Sequence, residues 1–157
     1  MNDIIFARAL HVLAVIHWVG GLAFVTLVVL PLAASRPDRG EGLALFAAVE
    51  RRFSAQLRFS IPLAGAAGLW MTYRMDLGDR FADPHFWWMS AMVGLWLFFV
   101  TMIFVIEPLA HGRFERRAQE DPDSAFRRLI ALHVVLLALA ALTALGAVAG
   151  AQGFAFH

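Results

Sequence analysis

Three histidines, His11, His17 and His133, fall inside long apolar stretches of this chain, where ionisable side chains are costly and mark candidate functional positions. Imidazole can hold a metal ion or a haem iron through one ring nitrogen while the other is fixed by a hydrogen bond. A fourth histidine, His85, stands at the mouth of a further apolar stretch, and His111 and His157 lie outside such stretches. Cysteine is absent, which removes disulfides, iron–sulfur clusters, thiolate metal sites and covalent haem attachment together. Lysine is absent as well: all thirteen basic residues are arginine, so no Schiff base can form. Metal chemistry is left to His, Met, carboxylate or backbone ligands. No nucleophile–base pair, phosphate loop or HExxH element appears, so the sequence carries no hydrolase or transferase signature.

Glycines accompany the histidines. Gly21 falls on nearly the face of His17 one turn along, and Gly20 adjoins it, so side chains are missing where a flat macrocycle could approach the backbone. Arg8, Arg51, Arg52, Arg58 and Arg74 stand near the ends of apolar segments, where propionates could meet charge-assisted bonds, with Arg52 and Arg58 the preferred pair. Methionine offers a second chemistry. Met71, Met75, Met89, Met92 and Met102 could form a soft Cu(I) path, and His85, Met89 and Met92 share a helix face.

The elements that must position these residues are helices in lipid. Sixty-one per cent of the 157 residues are hydrophobic and only 16% are charged, with the charges bunched between apolar runs. A stretch of about 20 apolar residues crosses the ~30 Å hydrocarbon core as a helix. Four spans are expected, at about 4–32, 55–73, 85–109 and 125–150, within one transmembrane domain covering 1–157. The fold class is all-α, an integral membrane four-helix bundle. Leu43–Phe59 repeats its apolar residues at three- and four-residue spacing around Glu50, Arg51 and Arg52, which predicts a short amphipathic interfacial helix before the second span. The first segment is too long in its apolar part for a cleaved signal peptide and is expected to remain as a span. Trp18, Trp70, Trp87, Trp88 and Tyr73 read as an interfacial aromatic belt.

Arginine distribution sets the orientation. Arg36, Arg39, Arg51, Arg52 and Arg58 flank the first connection, and Arg113, Arg116, Arg117, Arg127 and Arg128 the third. Positive-inside reasoning places both connections in the cytoplasm and both termini in the periplasm of a bacterial inner membrane. His17 then lies ~9 Å deeper than His11, and His133 ~12 Å above the cytoplasmic end of its span. His17 and His133 are therefore expected to approach one level and serve as axial ligands of one haem. His11 follows as the next ligand, with His85 in the same outer half. Gly146 and Gly150 form a small-xxx-small pair ~140° around the last helix from His133, a surface for helix packing or a homo-oligomer. A net charge of +1, without a basic strip interleaved with aromatics, gives no case for nucleic acid.

Ala9-Leu10-His11-Val12-Leu13-Ala14-Val15 followed by Trp18-Val19-Gly20-Gly21 resembles the opening helix of the CopD-like bacterial membrane proteins. Glu50-Arg51-Arg52-Phe53, Phe86-Trp87-Trp88-Met89, Phe104 to Leu109, Leu132-His133 and Leu145 to Gly150 extend the resemblance over nearly the whole chain. That group is named after a copper-resistance protein and is distantly similar to the HemJ-type protoporphyrinogen oxidases. The resemblance implies a four-helix membrane fold and either haem or copper, with His11 matching the first-helix histidine that HemJ-like proteins use for haem. The third-helix lysine of that group has no counterpart here. His17 and His133 stand outside the group's pattern and rest on depth alone.

The sequence thus predicts a b-type haem protein with one or two haems. It would transfer electrons between a quinone or membrane dehydrogenase and a redox partner. The alternatives are a copper-binding or copper-transporting protein and a cofactor-free structural subunit of a membrane complex, both in contact with membrane lipid.

Overall fold

The computed structural model describes residues 2–152, except the side chains at 110, 111, 113–115, 117 and 119. His157, the C-terminus and the side chains of His111, Arg113 and Arg117 therefore lie outside the described residues. Among those described, the chain is helical and has no strand.

The first rod runs Asn2–Ala34 as α1 (Asn2–Phe24), a π turn over Val25–Val29 and α2 (Leu30–Ala34). Pro31 does not end it. A proline inside an α-helix lacks the N–H that bonds four residues back, and its ring crowds that carbonyl. Here the turn before it is wound wide: the Leu30 N–H reaches the Val25 oxygen, five residues back. The same device recurs between α4 (Trp87–Thr101) and α5 (Glu107–Glu120). Met102–Ile106 is a π turn, Glu107 N–H bonds the Met102 oxygen, and Pro108 follows. The third connection is thus largely helix.

Between these rods lies α3 (Arg39–Arg74), a single helix of 36 residues, ~54 Å long at the helical rise. The predicted amphipathic helix and second span are not separate elements. Helical backbone continues through both because Leu43, Leu45, Phe46 and Val49 pack against Val25, Val29, Leu30 and Ala33, which leaves no reason to bend onto a membrane surface. Asp38 caps its start by accepting from the Gly40 N–H at 2.7 Å. The final helix, α6 (Pro122–Ala151), has Pro122 in its first turn and Asp121 accepting from the Ser124 N–H at 3.0 Å.

Three helices, Asn2–Ala34, Pro84–Leu109 and Pro122–Ala151, are long and apolar enough to cross a membrane. The fourth long helix, α3, carries Glu50, Arg51, Arg52 and Arg58 in its middle and keeps a continuous apolar run only from Phe59 to Tyr73.

The first rod and α3 form an antiparallel hairpin. Asp3 meets Arg74 at 2.8 Å at one end, and Gly42 lies against the Ala33 carbonyl at the other. On the far side of α3, the Trp96 indole N–H donates to the Ile61 oxygen at 2.9 Å, over the flat surface that Gly65 leaves. Gly146 and Gly150 receive Trp87 and Trp88, so α6 runs antiparallel to α4. Two apolar clusters result. One joins Trp18, Leu22, Leu57, Ile61, Phe99, Ile103 and Leu136; the other lies toward the Arg39 end, around Phe46, Leu30 and Phe126. Trp18 and Trp88 are therefore core residues rather than parts of an interfacial belt. Their rings are wide enough to fill gaps between helices, as Trp18 does edge-on against Phe99 at 4.8 Å.

Candidate functional site

The three histidines within the apolar segments are each tied to a neighbouring group. His11, on α1, has Nδ1 2.8 Å from the Ala64 carbonyl on α3, with its ring against Gly68. His133, on α6, has Nδ1 2.9 Å from the Leu129 carbonyl one turn back, and its ring meets Phe46 edge-on at 5.8 Å. A carbonyl oxygen only accepts, so Nδ1 carries the hydrogen in both rings, and in the neutral form Nε2 carries the lone pair. His17 is held the other way round: its Nε2 donates to the Gln56 side-chain oxygen at 3.0 Å, and its ring lies 5.8 Å from Phe53.

Helix α3 serves as a ruler for depth. His11 stands at Ala64, His17 at Phe53–Gln56 and His133 at Phe46. His17 and His133 are therefore seven or more residues apart along α3, ~10 Å or more. The expected approach of these two rings to one level is not made. Helices α3 and α6 extend past the apolar runs, so depth does not follow from residue counts to the ends of those runs. No two of these three histidines share a level.

Gly21 is also used differently from expectation. A side chain there would run into the Phe53 ring, so the missing Cβ accommodates an aromatic residue of α3. Gly20 has open space beside it. Next to Gly21, between α1 and α3, lies a groove of about 220 Å³ lined by Gly21, Phe24, Val25, Val49, Arg52, Phe53 and Gln56. Arg52 is its only charged residue. Arg58 faces Glu107 at 3.9 Å across to α5.

His85 lies on the connection before α4. Its backbone N–H and its Nδ1 both contact Asp83 Oδ1, at 2.9 and 2.8 Å. These two bonds hold the Asp83 carboxyl below the usual carboxylate range, the backbone bond contributing most. Met89 is buried in the bundle while His85 is exposed, so the helix face they share is split between two environments. Among the described residues no group of three or more His, Asp or Glu side chains is placed to hold a metal ion. The buried Nε1 of Trp18 and Oγ of Ser60 have no hydrogen-bond partner there.

Gln56, Ala64 and Phe46, which position the three rings, were not singled out from the sequence. A signal existed for Gln56. With Ser35–Asp38 as the tip of a hairpin, counting equal numbers outward puts His17 opposite Gln56. Comparison with known proteins gives no match to a family model, a curated protein or a solved structure.

Proposed function

We propose that this chain is a four-helix membrane protein that carries haem b, with His11 and His133 as iron ligands at two depths. The observation that carries the reading is the shared tether of those two rings. Each imidazole is anchored through Nδ1 to a main-chain carbonyl, which orients the ring and leaves Nε2 with its lone pair, the form an axial ligand requires. Bound iron would supply one-electron chemistry, and the protein would supply ligand orientation and a low-dielectric setting. Electron exchange with a quinone or a membrane dehydrogenase fits that role.

The membrane placement is part of the same proposal. Three helices have the length and hydropathy of spans, and α3 lies antiparallel along the first of them, which supports a fourth crossing. The arginine-rich connections belong in the cytoplasm of a bacterial inner membrane, with both termini outside.

The test is spectroscopic. Protein purified from haem-replete cells is expected to show reduced-minus-oxidised absorption bands and a b-type pyridine haemochrome. His11→Ala and His133→Ala should each lower the haem-to-protein ratio, with the helical content unchanged. A colourless preparation would falsify the reading, and elemental analysis then separates copper from no metal.

A cofactor-free structural subunit is the second reading, and His17 favours it. Its Nε2 is taken by Gln56, so one intramembrane imidazole is already satisfied within the fold. Co-purification with a fixed partner, without iron or copper, is the outcome that reading requires.

A further inference from the structure

The groove between α1 and α3 combines an apolar and a cationic surface. Its walls are apolar, from Phe24, Val25, Val49 and Phe53, and one edge carries Arg52 and Gln56. Around it Phe24, Leu27 and Val28 are exposed on the first rod and Arg51 and Arg52 on α3. Neither Arg51 nor Arg52 has a carboxylate within ion-pair distance among the described residues, whereas Arg58 has Glu107 and Arg39 has Asp123. An unpaired guanidinium beside an apolar trough in a membrane-facing wall calls for an anion with a hydrocarbon tail.

We propose that this groove seats one anionic phospholipid, its phosphate on Arg52 and an acyl chain along Phe24, Val25, Val49 and Phe53. Charge complementarity decides the class of occupant. Arginine pairs bidentately with phosphate oxygens, and basic pockets between helices on the cytoplasmic side select anionic head groups. The groove lies in the arginine-rich half of the hairpin, toward the connection Ser35–Asp38. Gln56, already bonded to His17, adds an amide at the same edge for glycerol or ester oxygens. A neutral quinone would use the apolar walls but leave the arginine without a counter-ion. The site does not depend on haem.

The test uses the full-length protein, delipidated and reconstituted into nanodiscs of phosphatidylcholine alone or of equal parts phosphatidylcholine and phosphatidylglycerol. Lipids retained after re-extraction are then read by native mass spectrometry. One phosphatidylglycerol per chain is expected to be retained preferentially. Arg52→Gln should weaken that retention about tenfold, in line with loss of a charged hydrogen-bonding partner, and Arg52→Lys should restore part of it. Arg51→Gln removes the same charge about 100° around the helix from Arg52 and should leave the retained lipid in place. Equal losses from the Arg51 and Arg52 variants would mean diffuse surface electrostatics and overturn the proposal, as would no preference for phosphatidylglycerol. Inorganic phosphate in the buffer should not compete; competition without lipid selectivity would identify a free-anion site instead.

Discussion

The ring of His11 and the carbonyl of Ala64 are joined at 2.8 Å across the α1–α3 interface, the one imidazole-to-backbone bond between two helices among the described residues. Its meaning is structural whether or not iron is bound. His11→Ala leaves that carbonyl without its side-chain donor, and interhelical polar contacts in membrane proteins are worth roughly 0.6–2 kcal/mol. Unfolding in mixed micelles should show a loss of that size for His11→Ala. His17→Ala breaks a more exposed bond and should cost less.

Gly42 is required by close approach of backbone. A Cβ there would strike the Ala33 carbonyl oxygen, which a helix cannot move aside as it would a flexible side chain. Gly42→Ala should therefore destabilise by about 1–3 kcal/mol, the usual cost of overpacking. Gly20 has no neighbour within 4 Å. Gly20→Ala should be neutral, or stabilising by up to about 1 kcal/mol through helix propensity. Thermal unfolding of the two variants side by side checks the contrast.

Trp96 combines a ring over Gly65 with an N–H to the Ile61 oxygen. Trp96→Phe keeps most of the packing and removes the donor, so a loss of about 1 kcal/mol is expected. A matching loss of hydrogen-exchange protection at residues 61–65 should accompany it. Unchanged protection would show that the ring alone holds α3 to α4.

These expectations also mark what could be read from the chain beforehand. Four spans are expected from the spacing of charges, and three helices are long and apolar enough to cross a membrane. The axial pairing of His17 with His133 was not legible, because depth counted from span ends assumes that helices stop where apolar residues stop. Arg39–Arg74 violates that assumption, as Phe46 and Val49 find partners on α2 and α6 beyond the apolar core. Pro31 leaves the first rod unbroken for a separate reason. Proline forbids one hydrogen bond, and a local widening of the turn avoids the crowding without ending the helix.

Asp83 gives a pH dependence outside the three long apolar helices. Its carboxyl is held low by the His85 backbone and side-chain bonds. A group whose folded value is depressed stabilises fully above its unfolded value of about 4, and that contribution fades as pH falls through the lower, folded value. The amide resonance of His85 should titrate with a midpoint below that of an ordinary aspartate. In Asp83→Asn the midpoint should disappear; a wild-type midpoint at the ordinary position would remove the assignment.

The two wide turns before Pro31 and Pro108 also bear on how this chain can change length. Each holds one residue more than an α-helix would place in the same rise, so each is a built-in insertion that the proline keeps from being wound out. Deleting a single residue there keeps the flanking faces in phase, but ordinary winding returns the proline ring to the carbonyl four residues back, so the deletion should be tolerated only when the proline is replaced as well. The same deletion in the middle of α6 would rotate everything after it by about 100° and carry the glycines at 146 and 150 away from their tryptophans. Tolerance to shortening, once Pro31 or Pro108 is replaced, should therefore be concentrated at these two turns.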